Sequence, residues 1–304
     1  MDKHHLLTTF ALVGIFVYVN VVSAAMSSSS YLIRWDSVNT GGSDTGSSSS
    51  YQLRDTLEAA VAGRTSSSSY NLDQGYRGGV LDQVIAFDVR AQDISDPRTA
   101  SSLASLTVTV SSVSGISAGS YVVLVQDQGV SQVSAIGKVA SVGSSTITVD
   151  SWTNGGTAPT IDGFGDYLYI LSGATVAFGQ LSDSSVRTAV IAFEVSADST
   201  SGYVIQVSDD GNLRSGSNDV DDVSDGAVNE GSEEFGARSS DTSLASTSFD
   251  TADAALTTTR QDIVTRSSAS LADRSFVTLK ASISTSTAAG SYANTISFIA
   301  SGNF

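Results

Sequence analysis

The sequence predicts an all-β protein: an Ig-like antiparallel β-sandwich with an inserted small β-barrel or sandwich unit and an N-terminal extended segment. Three observations predict it. Apolar and polar residues alternate in short runs from Val84 onward, the period-2 mark of strands with one buried face. Tight-turn sequences separate the runs: Gly115 to Gly119, Gly143-Ser144-Ser145, Asp209-Asp210-Gly211-Asn212 and Ala289-Gly290. Gly, Ser, Thr, Val and Ala dominate the composition, as short strands and turns require, with 27 Gly and only 2 Pro.

The chain opens on Asp2-Lys3-His4-His5, an apolar stretch from Leu6 to Val22 and the small residues Ser23-Ala24-Ala25, so residues 1–25 read as a secretion signal. The apolar run, about 17 residues, also sits at the lower limit for a membrane anchor. The small-residue site followed by four serines favours cleavage. No second apolar run of spanning length follows.

Residues 26–79 are repetitive. Ser27–Ser30-Tyr31 recurs as Ser47–Ser50-Tyr51 and Ser66–Ser69-Tyr70, each Tyr followed two residues later by an aliphatic residue, Ile33, Leu53 or Leu72. Tyr31, Ile33 and Trp35 form one strongly apolar face against Leu32, Arg34 and Asp36. The zone reads either as a Ser-rich linker or as a set of short strands that pair with something. Leu53 to Ala62 reads as a short helix or a turn.

The main sandwich is expected from residues 80–102 and 172–304, the inserted β unit from 103–171. Ile85, Phe87 and Val89 form the apolar face of a first strand, and Pro97 marks a break. The inserted unit predicts five strands: Leu106–Val110, Tyr121–Val125, Ile136–Val142, Thr146–Val149 and Tyr167–Leu171. Tyr121–Val125 is almost wholly apolar, as in a strand buried on both sides. Beyond it, Val190–Ala197, Tyr203–Val207, Phe276–Ser284 (Val277, Leu279, Ala281 and Ile283 on one face) and Tyr292–Ala300 alternate, as in a sandwich with one wet face per sheet. Asn218 to Glu234 reads as an irregular acidic stretch.

Composition narrows the chemistry. The formal net charge of −16 opposes binding to nucleic acid or anionic membranes. There is no cysteine, and both histidines, His4 and His5, lie in the leader. A Ser-His-Asp triad, a Cys-His pair and the ordinary zinc, copper and haem ligand sets are therefore excluded from the mature chain. An enzyme is not expected. Without disulfides, stability must come from burial, which about 280 residues supply.

Several segments resemble secreted surface proteins of bacteria of the candidate phyla radiation. They are Ser47–Tyr51 with Gln52-Leu53, Gly63, Ser66–Tyr70 with Asn71-Leu72, Gly75-Tyr76, Ser201-Gly202-Tyr203, Asp210–Ser217, Gly231–Gly236 and Ala289-Gly290-Ser291-Tyr292 through Ser301-Gly302-Asn303-Phe304. The resemblance implies an exported Ig-like sandwich at the cell surface and carries over no catalytic residue.

Three candidate sites follow. The acidic residues Asp209, Asp210, Asp219, Asp221, Asp222, Asp225, Glu230, Glu233 and Glu234 read as a calcium site or as a solvated loop. Asp219, Asp221, Asp222 and Asp225 are the candidate ligands, and calcium is the one cofactor considered. EF-hand spacing is absent, since Val223 stands where a second acid is needed. Asp44-Thr45-Gly46 matches an aspartic-protease loop, but only once and in low-complexity sequence. Tyr31, Trp35, Tyr51, Tyr70, Tyr76, Trp152, Tyr167 and Tyr169 read as a sugar-stacking platform or as packing residues.

The function expected is that of an extracellular structural protein at the cell surface, forming or decorating a filament or layer and binding copies of itself by strand addition. Tyr31–Val38, with Tyr31, Ile33 and Trp35 on its apolar face, is the donor. The acceptor groove is lined by Ile191, Phe193, Val195, Ile296 and Phe298. The alternative is a monomeric adhesin or glycan-binding module whose partners are glycans or a host surface. No nucleic-acid partner is expected, and no membrane association once the signal is removed.

Overall fold

The computed structural model describes residues 85–303 continuously, and before them only six short strands. The secretion signal expected at 1–25 and most of the donor segment lie outside the described residues. The chain divides into two units, Met1–Gln83 and Val84–Phe304.

In the first unit the strands are β1 (Ser27–Ser28), β2 (Tyr31–Leu32), β3 (Gly41–Ser47), β4 (Gln52–Leu57), β5 (Gly63–Ser66) and β6 (Asn71–Gln74). They pair antiparallel as β1–β2, β3–β4 and β5–β6. The innermost pairs are Ser28↔Tyr31, Ser47↔Gln52 and Ser66↔Asn71, so each serine run falls where one strand gives way to its partner. The repeat is a repeat of hairpins. Leu53 to Leu57 belongs to strand β4, not to a helix.

The second unit begins with β7 (Ile85–Ala91). A closed barrel follows in sequence: β8 (Arg98–Ala104), β9 (Thr107–Val110), β10 (Tyr121–Gln126), β11 (Val133–Val142), β12 (Thr146–Asn154) and β13 (Tyr167–Leu171), in the order β10-β11-β12-β9-β8-β13. The chain then returns to β14 (Arg187–Ala197), β15 (Tyr203–Asp209), the small hairpin β16 (Leu213–Ser215) and β17 (Asn218–Val220), then β18 (Glu234–Ser239), β19 (Gln261–Arg266), β20 (Ser270–Ser282) and β21 (Ile296–Gly302). Seven of these strands make an antiparallel sandwich, four in one sheet (β18-β20-β14-β7) and three in the other (β19-β15-β21).

The barrel has six strands rather than five. Arg98–Ala104, expected in the sandwich, pairs with β9 and β13 and closes the cylinder. Its interior is filled by Val108, Val122, Leu124, Ile147, Val149 and Leu168. The alternate side chains of β10, Tyr121, Val123 and Val125, leave the barrel and pack on Val190, Ala192 and Phe276 of the four-stranded sheet. This is why β10 is apolar on both faces. It also corrects the expectation of a wet sheet face: Thr278, Lys280 and Ser282, on the outer side of β20, are all buried.

Polar contacts pin this seam. The Tyr121 hydroxyl donates to Glu194 Oε2 at 2.6 Å, and Arg274 donates from Nε to the same oxygen at 3.1 Å and from Nη1 to Asp150 at 2.7 Å. The Arg90 guanidinium lies 3.8 Å from the centre of the Tyr121 ring, a cation–π contact. Arg274 holds the Asp150 carboxyl below its ordinary range by hydrogen bonding.

Candidate functional site

The two side margins of the sandwich differ. At the β18/β19 margin, Ala237 and Ala254 exchange backbone hydrogen bonds at 2.9 Å, and Ser239 Oγ donates to the Ile263 carbonyl at 2.5 Å. That side is closed. At the other margin β7 and β21 are the outer strands of their sheets, and among the described residues no hydrogen bond joins one to the other. Ala91, at the end of β7, bonds to Gly173 and Ser172, so the stretch of that edge without a partner among the described residues is Ile85–Arg90.

Burial follows the same division. The core-facing residues of β14 and β15, such as Ile191, Val195, Ile205 and Val207, are fully buried. On β7 and β21 the core-facing residues Ile85, Phe87, Val89, Ile296, Phe298 and Ala300 are only half-buried, although each packs on the core. Three rings cross the opening. Phe193, 1% exposed, lies 5.9 Å from Phe87 of its own sheet and 5.0 Å from Phe298 of the facing sheet. Two strand edges without partners among the described residues, carrying half-buried apolar side chains over a buried floor, have the chemistry of a strand-accepting groove.

The five residues expected to line an acceptor groove fall in one cluster, at two levels of burial. Ile191, Phe193 and Val195 form the buried floor, while Ile296 and Phe298 form the open margin. Ile85, Phe87 and Val89 also line this margin, which their alternation alone does not reveal. Nothing local in β7 tells that it ends a sheet opposite β21. Of the donor, only Tyr31 and Leu32 fall in a described strand, and Ile33 and Trp35 lie outside the described residues.

The four calcium candidates do not converge. Among the described residues no three Asp, Glu, His or Cys side chains group as a metal site requires. Asp219, on β17, accepts a hydrogen bond from Asn212 Nδ2 at 3.0 Å, and Asp225 folds back on the Ala227 N–H at 3.1 Å. Asp221 is solvent-exposed and uses its backbone carbonyl to hold Phe235 N–H at 2.8 Å. Asp222 points inward. Burial, then repulsion from Asp209 and Asp221, pushes its carboxyl up to about 6. The chain around Asp219 folds as the β16–β17 hairpin, not as an irregular loop.

Two buried carboxylates elsewhere, Asp166 and Asp241, organise loops. Asp166 accepts backbone N–H bonds from Asp127, Asp162 and Gly163 at 2.8–3.2 Å. Asp241 accepts from Ser243 N, Thr265 N and Arg266 Nη1. No local motif announces either one, because part of each donor set comes from a distant segment, Asp127 for Asp166 and Thr265 with Arg266 for Asp241. The aromatic residues that can be placed also serve packing. Tyr169 is buried and donates to Gln128 Oε1 at 2.8 Å, Tyr167 lies against it, and Trp152 packs on the barrel core. Asp44-Thr45-Gly46 falls inside β3.

The architecture and this margin define an all-β sandwich with an inserted barrel and an open apolar edge. Compared with family models, with curated proteins and with solved structures, the chain matches none. Among the described residues no helix is long and apolar enough to cross a membrane.

Proposed function

We propose that this chain is an extracellular structural subunit that forms or decorates a cell-surface filament or layer, its copies joined by β-strand addition. The observation that carries the reading is the contrast between the laced β18/β19 margin and the open β7/β21 margin. The occupant of the groove is the Tyr31–Val38 segment of a second copy. Its alternate residues Tyr31, Ile33 and Trp35 match the two-residue spacing of Ile296, Phe298 and Ala300. A head-to-tail contact of this kind does not close on itself, so it yields fibres.

Deleting residues 27–38 tests the reading. Electron microscopy and sedimentation velocity are expected to show fibres for the intact mature chain and a soluble folded monomer for the deletion. Fibres at the intact level in the deletion overturn the donor assignment. The competing reading, a monomeric adhesin or glycan-binding module, draws on the Phe164 ring, 81% exposed on a loop of the barrel. It requires glycan-array binding by the mature chain that Phe164→Ala removes.

A further inference from the structure

A lysine and an aspartate face each other inside the second unit, and the function proposed above uses neither. Lys280, on the barrel-facing side of β20, is 6% exposed, and Asp253, in the β18–β19 connection, is 5% exposed. Lys280 Nζ donates to Asp253 Oδ2 at 3.0 Å and to the Val130 carbonyl at 3.2 Å. The Val228 N–H donates to the same Oδ2 at 3.0 Å. Asp253 Oδ1 is buried and has no hydrogen-bond partner among the described residues. A buried ion pair is costly even with good geometry, and an unpartnered charged oxygen adds to the cost.

We propose that Lys280 and Asp253 condense into an intramolecular amide, a covalent tie between β20 and the β18–β19 connection. One proton passes along the Nζ–Oδ2 hydrogen bond, turning the ion pair into an amine and a carboxylic acid. The Nζ lone pair attacks Cγ, and the Cγ–Nζ bond forms. The negative charge that develops sits on Oδ1. The Cγ–Oδ2 bond then breaks, with the Val228 N–H donating to the departing oxygen. Oδ2 leaves as water, carrying the proton gained from the lysine and a second one released by the nitrogen, and Oδ1 becomes the amide oxygen. Overall, an ammonium and a carboxylate give one amide and one water, with no oxidant or co-reactant.

The product removes what makes the buried pair costly. The amide N–H keeps the Val130 carbonyl. The unpartnered Oδ1 becomes a neutral amide oxygen in place of a charged one. Two buried charges disappear, and the fold holds nucleophile and carbonyl together, which replaces an encounter between separate molecules. In a chain with no cysteine, such a bond closes the loop between residues 253 and 280 as a disulfide would.

The test is the intact mass of the purified, fully denatured chain, followed by trypsin digestion. The expected mass is lower than that of the sequence by one water. The digest is expected to hold the peptide Ser239–Arg260 joined to the peptide that begins at Ser275, with no cleavage after Lys280. Lys280→Met and Asp253→Ala are each expected to restore the full mass. A full mass in the unsubstituted chain overturns the proposal whatever the variants do. So does a water lost elsewhere, for example as a succinimide at Asp210-Gly211 or Asp225-Gly226. That loss lowers the mass equally but leaves Lys280 open to trypsin and persists in Lys280→Met.

Discussion

Truncating two rings that touch each other, Phe193→Ala and Phe298→Ala, should give opposite profiles in stability and assembly. The ring centres are 5.0 Å apart, but Phe193 is 1% exposed whereas Phe298 is half-buried on an unpaired edge. Removing a fully buried phenylalanine costs about 3–5 kcal/mol, the lost transfer energy plus a cavity that packed neighbours cannot refill. With a urea m-value of about 2–3 kcal/mol/M, the midpoint of the Phe193→Ala variant should fall by about 1–2 M. Phe298 already exposes part of its ring, and the space it leaves opens to solvent rather than forming a sealed void. Its truncation should cost only about 1–2 kcal/mol, a midpoint shift of less than about 1 M. On assembly the order reverses. A donor strand lying in the groove buries the rest of the Phe298 ring, so losing about 1–2 kcal/mol per contact raises the concentration needed for polymer by roughly tenfold. Urea unfolding followed by far-UV circular dichroism measures the first quantity, and sedimentation of a concentration series the second. Equal destabilisation by both substitutions, with polymer formation untouched by Phe298→Ala, would refute the open-margin argument.

The other predictions concern the rest of the second unit. Burial raises the Asp222 carboxyl to about 6, so the folded state holds a proton there that the unfolded chain releases near pH 4. The stability this group contributes is therefore greatest below pH 4 and declines as pH rises to about 6. Asp222→Asn should raise stability at pH 7 by roughly 1–2 kcal/mol after allowance for solvent screening, with no gain at pH 4, as pH-resolved urea titrations would show. Arg274→Met leaves Glu194 and Asp150 without their arginine at the barrel–sandwich seam. It should cost about 2–3 kcal/mol, less than a fully buried pair because Asp150 is partly exposed, and a melt unchanged by the substitution would contradict this. Gly202 adopts φ +78°, and a Cβ there collides with the Arg266 carbonyl oxygen. Gly202→Ala should lower stability by about 2–3 kcal/mol, measurable by differential scanning calorimetry. Because the acidic residues of 219–225 do not converge, millimolar calcium should leave the melting temperature unchanged.

The sequence by itself determined the fold class and the position of most strands. Alternation is a local property: once Val277, Leu279 and Ala281 recur at every second position, an extended backbone places them on one face wherever the strand ends up. The same logic located β7, β10, β14, β15 and the last strand, and the continuous apolar run of β10 announced burial on both sides. Strands without that pattern escaped it. Arg98–Ala104 has few apolar residues and is a strand because β9 and β13 offer it backbone partners, and β18 and β19 are short and polar for the same kind of reason.

Only the tertiary structure decided which second faces stay wet and which margin stays open. Thr278 and Lys280 look like solvent-facing residues in the sequence, yet the barrel and the β18–β19 connection cover that side of the sheet. The open margin exists because β7 and β21, more than two hundred residues apart in sequence, end neighbouring sheets. Burial and pairing of this kind are set by which distant segments meet. A polar side chain can be buried only when another part of the chain supplies its hydrogen bonds, and no local pattern encodes that supply.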